Sequence, residues 1–319
     1  MALLKVEDLS IGYTTRNGLL RAVEGVSFAL DPGGSLGLVG ESGCGKTTLG
    51  MALMGLLPAN GKVISGKMLF EGGDLRENLE TQWRKIRWRK ISMIFQAAMN
   101  ALNPVHRVGD QIAEAIRTHM PDMTEQEIRA RVGELYRLVG LPEERISDYP
   151  HQYSGGMRQR AIIAMALACN PKLIIADEPT TALDVIVQDQ ILKEIKRLQK
   201  QLDLSIIFIS HDISIVAEVC EDIGVMYAGQ LVELGPKEAV FDNPVHPYTK
   251  ALLASYPTLM GAKERLRPIP GEPPNLLSPP SGCRFCERCP ISGKTCKFQA
   301  PQWALVGPRH KALCNASCT

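Results

Sequence analysis

The segment Gly40-Glu41-Ser42-Gly43-Cys44-Gly45-Lys46-Thr47 has the G-x-x-x-x-G-K-[ST] spacing of a phosphate cradle. Glycines let successive backbone N–H groups turn inward on phosphate oxygens, and a helix opening at Lys46 adds its positive end. Lys46 would reach the β- and γ-phosphates of ATP, and Thr47 would offer its hydroxyl to Mg²⁺. Ser42, Gly43, Cys44 and Thr48 would line the same cradle. Taken alone, these residues also fit a glycine-rich turn with an exposed lysine. Cys44 reads as a small filler; the alternative is a thiol whose pKa a nearby helix N-terminus could lower.

Leu173-Ile-Ile-Ala-Asp177-Glu178 is an apolar run ending in two acids. Asp177 at such a strand end can hold Mg²⁺, and Glu178 is then placed to polarise an attacking water. Two acids at a strand end also suit a solvated turn; after a phosphate loop in the same chain, the catalytic reading is favoured. His211 follows the apolar run Ser205–Ser210 and could contact a γ-phosphate. Gln96 ends Ile91–Phe95 and could sense Mg²⁺ and water. The plainer readings are a structural histidine and a loop glutamine.

These residues need a framework that brings strand ends together. Ser35–Val39, Ile91–Phe95, Leu173–Ala176, Ser205–Ser210 and Ile223–Tyr227 are short apolar runs, as expected of strands covered on both faces. Val185–Leu202 carries a helical stripe of Ile186, Ile191, Leu192, Ile195 and Leu198. Between about Ala97 and Arg160 strand signals give way to helices over Gly109–Arg117 and Thr124–Val139, the second opened by a Thr124/Glu127 capping box. The fold class is therefore α/β with a helical insertion. Arg267–Pro280 holds six prolines and reads as a stiff linker to a cysteine-rich tail.

The chain has 319 residues, 45% of them apolar, enough for a full core. Its net charge of +2 and 5% aromatic content give no sign of nucleic-acid binding. One patch, Trp83-Arg-Lys-Ile-Arg-Trp88-Arg-Lys90, mixes basic and stacking residues, but a helix with a solvated basic face is the favoured reading. No apolar run is long enough to span a bilayer, and Met1–Ser10 is not a secretory signal. A cytoplasmic location is expected, with membrane contact only through partners.

Tyr153-Ser154-Gly155-Gly156-Met157-Arg158-Gln159-Arg160 lies about twenty residues before the acid pair and leads into a helix. Here the sequence resembles the ATP-binding-cassette (ABC) ATPases. The likeness extends in order over the phosphate loop, Gln96, the S-G-G-x-x-Q signature, Asp177, Glu178, Asp184 and His211. Tyr13 sits where that family places an aromatic under the adenine. The resemblance implies a P-loop NTPase ABC ATPase core over 1–257, with a helical subdomain over about 97–165. It implies that Ser154, Gly155 and Gly156 face the γ-phosphate held by an opposing subunit, and that Gln159 and Asp184 also belong to the nucleotide-binding residues. One signature and one phosphate loop then call for a second ABC ATPase subunit, with a heterodimer expected.

Asn103-Pro104-Val105, His246-Pro247-Tyr248-Thr249 and Gly282-Cys283-x-Phe285-x-x-Arg288-Cys289-Pro290 resemble the ATPase subunits of oligopeptide/dipeptide importers. Ala97 and Ala98 depart from the Asp-Pro that more often follows the glutamine there. This resemblance implies two membrane permeases, an external substrate-binding protein, and residence on the cytoplasmic face of the membrane. It implies di- or oligopeptide cargo; nickel or oligosaccharide import, or a soluble ABC ATPase acting on ribosomes or nucleic acid, are the alternatives.

It also implies a C-terminal extension over 258–319 in which Cys283, Cys289, Cys296 and Cys314 hold a [4Fe–4S] cluster. Four thiolates equally fit Zn²⁺. Cys286 is an extra thiol able to displace one of the four, and His310 a further zinc ligand. Metal would supply folding energy to a tail poor in core residues.

Overall fold

The computed structural model describes residues 2–96, 101–181, 183–255 and 268–315. Ala97, Ala98, Arg267 and Cys318 lie outside them. The chain divides into two compact units. One comprises 1–30, 36–76 and 209–319, the other 31–35 and 77–208.

The first unit contains β1 (Leu4–Thr15), β2 (Gly18–Leu30), β3 (Ser35–Val39), α1 (Lys46–Leu53), β4 (Gly61–Phe70) and β5 (Gly73–Asp74). The second contains α2 (Glu80–Ile86), β6 (Ile91–Ile94), α3 (Val108–His119), α4 (Glu125–Leu138), α5 (Gly155–Ala166), β7 (Leu173–Asp177), α6 (Val185–Leu202) and β8 (Ser205–Ser210). The chain returns to the first with α7 (Ile213–Val219), β9 (Asp222–Tyr227), β10 (Gln230–Pro236), α8 (Lys237–Asp242) and α9 (Pro247–Ala254). After residue 268 come α10 (Lys294–Phe298), β11 (Trp303–Gly307) and β12 (His310–Leu313).

In the first unit, β2-β1-β4-β5 form an antiparallel sheet. A second run of strands is ordered β11-β12-β10-β9-β3. Its β3 lies parallel to β9, with Val39 level with Val225, so the residues after Val39 leave from the carboxyl end of a parallel pair. Ligands bind at that edge in open α/β sheets. All five β3 residues are buried, which is why the run carries no polar alternation. In the second unit, β6 and β7 run parallel with Ile94 level with Ala176. Gln96 and Glu178 therefore both lie two residues beyond one rung of the ladder.

The expected strands appear with small shifts: β6 stops at Ile94, β7 runs on through Asp177, and β9 starts at Asp222. Thr124 caps α4, accepting from the Glu127 amide, and the Glu127 carboxylate accepts from the Thr124 amide in return. The antiparallel strands β1, β2 and β4 escaped sequence reading. Register shifts at Val6–Gly12 break their alternation, so they show no clean period of two.

The basic Trp83–Lys90 segment is a helix only to Ile86. Trp83 is buried, while the Trp88 indole donates to the Met165 carbonyl (2.9 Å) and stacks on His119. Both rings are already committed to packing, which removes the stacking surface that a nucleic-acid reading requires.

Candidate nucleotide site

The phosphate loop is held open by backbone geometry that only glycine meets easily. Gly45 caps α1 with φ near 104°, and a Cβ there would lie 2.4 Å from the Ala22 carbonyl. Gly40 leaves β3 with φ near 152°, and its Cβ would lie 2.0 Å from the Met226 carbonyl. Ser42, Gly43 and Thr47 are exposed. Lys46 is 6% exposed because its ammonium folds back on the loop, donating to the carbonyls of Gly40 (2.7 Å) and Glu41 (3.1 Å). Such a loop presents amide donors and one cation to an anion.

The Cys44 thiol lies 3.5 Å from the Lys46 ammonium. Its pKa is nevertheless raised, because burial outweighs the attraction of that cation. This corrects the expectation of a thiol activated by the helix N-terminus.

Tyr13 on β1 shares a hydrogen bond with Thr48 on α1 (3.0 Å between oxygens), fixing its half-buried ring close to the loop. His211 is exposed and follows Ser210, whose hydroxyl accepts from the Asp212 amide.

In the second unit, Asp177 is buried at the end of β7. Glu178 follows with φ of 47°, a left-handed conformation that non-glycine residues seldom adopt. Its Oε2 accepts from the Gln96 amide (3.0 Å) and from the Thr181 hydroxyl (3.0 Å). Ser154 is exposed and caps α5, accepting from the Met157 amide. A Cβ on Gly156 would lie 2.8 Å from a Val187 methyl, so glycine allows the signature helix to approach the start of α6. There Asp184 is the cap, accepting from the Val187 amide (2.9 Å). Gln159 differs from its neighbours in the signature: it is 3% exposed, its amide turned into the unit.

The C-terminal residues build onto the first unit. Phe285 is buried edge-on against Tyr227 and Tyr248. β12 pairs with β10, aligning Ala312 with Glu233. The tail thus draws on an existing core instead of making one.

Burial pushes the Cys283 thiol up to about 11, and the charges of Cys314, Cys296 and Cys289 act in the same direction. Yet among the described residues no group of three or more His, Cys, Asp or Glu is arranged to hold a metal ion. Cys283, Cys289, Cys296 and Cys314, with Cys286, lie close enough to influence one another's charge without forming such a group. The anticipated zinc ligand His310 is instead buried 2.8 Å from the Glu233 carboxylate.

Sequence reading missed three residues that hold this machinery. Thr181 positions Glu178. The Tyr248 hydroxyl accepts from the Glu41 amide (2.9 Å), and Arg288 grips the Glu41 carboxylate. Tyr248 and Arg288 lie inside motifs noted only as likenesses, and nothing in their spacing reveals that they meet the loop.

Comparison with known proteins agrees with this architecture. Residues 23–181 match the family model of the ABC transporter, and residues 232–296 that of the oligopeptide/dipeptide transporter C-terminal region. The dipeptide transport ATP-binding protein DppD of Bacillus subtilis is 47% identical over 98% of this chain and 93% of its own. The oligopeptide transport ATP-binding protein OppD of the same organism is 48% identical, covering 97% and 87%. DppD of Escherichia coli is 42% identical, covering 99% and 97%. A dimeric ATP-binding cassette solved with ADP and Pi in a post-hydrolysis state superposes with a TM-score of 0.65 at 26% identity, covering 73% of this chain and 98% of that one. The cbiO1 protein of Clostridium perfringens, part of the ABC transporter complex cbiONQ, gives 0.66 at 30%, covering 76% and 91%. Near-complete mutual coverage at such identity, joined to the loop and strand-end acids described above, means that this chain belongs to the ABC transporter ATPases of the oligopeptide/dipeptide type.

Proposed function

We propose that the chain binds and hydrolyses ATP to drive import of di- or oligopeptides. The observation that carries this reading is its relation, along almost its whole length, to dipeptide and oligopeptide transport ATP-binding proteins. Lys46 and the loop amides bind the phosphates of ATP, while Tyr13 supports the base. Thr47, Gln96 and Asp177 offer the hard oxygen donors that Mg²⁺ prefers, and the ion supplies charge neutralisation on the phosphates. Glu178, oriented by Gln96 and Thr181, accepts the proton of the attacking water, and His211 steadies the γ-phosphate.

Ser154, Gly155 and Gly156 open a helix, so their amides form a second anion site. We assign it to the ATP of an opposing ATPase subunit, making hydrolysis a property of the pair. A different second ATPase, two permeases and an external binding protein complete the assembly, with this chain peripheral on the cytoplasmic face of the membrane. We place the ATPase domain at 1–257, its helical subdomain at about 97–165, and the extension at 258–319.

For the extension, the mutual influence of Cys283, Cys289, Cys296 and Cys314 supports loading of a [4Fe–4S] cluster, with Zn²⁺ as the other candidate. Loading requires the thiols to draw together, so iron, zinc and sulfide analysis of protein purified without oxygen tests it directly.

Affinity capture of the chain from solubilised native membranes tests the main reading. Two permeases, a second ATPase and a peptide-binding secreted protein are expected; ribosomal or DNA-bound partners without permeases would overturn import.

A further inference from the structure

Arg288 is 4% exposed at its side chain and makes a forked ion pair with Glu41, at 2.7 and 2.9 Å. Its Nε donates to the Pro270 carbonyl (2.7 Å), one terminal nitrogen donates to the Tyr227 hydroxyl (3.2 Å), and the guanidinium lies over the Tyr227 ring. Glu41 is the second residue of the phosphate loop, and its carbonyl accepts from Lys46. The tail reaches the loop by another route as well: Arg284 donates to the Ala228 carbonyl, and the next residue's amide, Gly229 N–H, donates to the Cys44 carbonyl (3.0 Å).

A carboxylate inside a cradle for a polyanion opposes binding unless it is neutralised. A planar arginine fork that is itself buried and braced by Tyr227 does this and fixes geometry as well. We infer that Arg288 is a positioning residue for nucleotide binding: by neutralising and anchoring Glu41, the C-terminal segment completes the phosphate loop more than two hundred residues earlier in the chain. The inference rests on the loop being the ATP site.

The test is equilibrium binding of ATP, ADP and AMP to the full chain, with Lys46→Ala as a control. Arg288→Gln is expected to weaken ATP about tenfold, with smaller losses for ADP and AMP, since the repulsion scales with phosphate charge. Glu41→Gln added to Arg288→Gln should restore ATP affinity to within about twofold of the parent, the charge conflict being gone. Should Arg288→Gln not fold, the double variant alone decides: parental affinity supports the inference, and a tenfold loss overturns it. Unchanged ATP binding in Arg288→Gln also overturns it, provided Lys46→Ala has lost binding. If Lys46→Ala binds as well as the parent, the ATP-site reading itself fails.

Discussion

Gln96 donates to the same carboxylate oxygen of Glu178 that Thr181 does, each at 3.0 Å. The pairing follows from the parallel register of β6 and β7, which brings both residues just past one rung of the sheet. A carboxylate so held points in one direction before any water arrives, and orientation of this kind is a large part of catalytic advantage. Glu178→Gln is expected to keep ATP binding and to lower single-turnover hydrolysis at least about a hundredfold. Gln96→Ala is expected to lower the hydrolytic rate about tenfold. Quenched-flow measurement of phosphate release checks both.

Lys46 is the loop's one ammonium, and in the structure it satisfies itself on loop carbonyls. Binding of a triphosphate substitutes phosphate oxygens for those carbonyls. Lys46→Ala should raise the dissociation constant for ATP at least about tenfold. Titration with a fluorescent nucleotide analogue measures this.

Gly45→Ala places a methyl group 2.4 Å from the Ala22 carbonyl on a backbone at φ near 104°. The clash is with main chain and cannot be relieved by a side-chain rotation. A loss of about 2 kcal/mol in stability is expected, together with weakened ATP binding. Thermal unfolding with and without ATP reports the two effects separately.

His246 caps α9, its Nδ1 accepting from the Tyr248 amide (3.1 Å), and burial lowers its pKa to about 3. Its ordinary value in the unfolded chain is near 6.5, so the unfolded state takes up the proton first as pH falls. The neutral histidine's contribution is complete above about pH 6.5 and is lost progressively towards pH 3. Between pH 7 and pH 5 this group should cost about 2 kcal/mol of stability. His246→Asn retains a capping acceptor but does not titrate in this range. Denaturant unfolding at several pH values should therefore show a shallower slope for the variant.

Much of the site was legible because its chemistry is local. A glycine-lysine-threonine loop after an apolar run, two acids closing another run, and a serine-glycine-glycine at a helix start each lie within a few residues, and their meaning follows from backbone conformation at one point. The buried strands that carry them were legible for the same reason, since a strand covered on both faces must be continuously apolar.

What only the tertiary structure decided depends on residues far apart in the chain. That Glu41 meets Arg288, that Tyr248 supports the loop, and that Trp83 and Trp88 are spent on packing are consequences of which surfaces meet. No periodicity encodes such meetings. The cysteines illustrate the limit: their spacing admits a ligand set, whereas no group of three or more ligand residues is arranged for a metal among the described residues. That Phe285, Arg284 and Arg288 seat the segment on the first unit was likewise decided only by the fold.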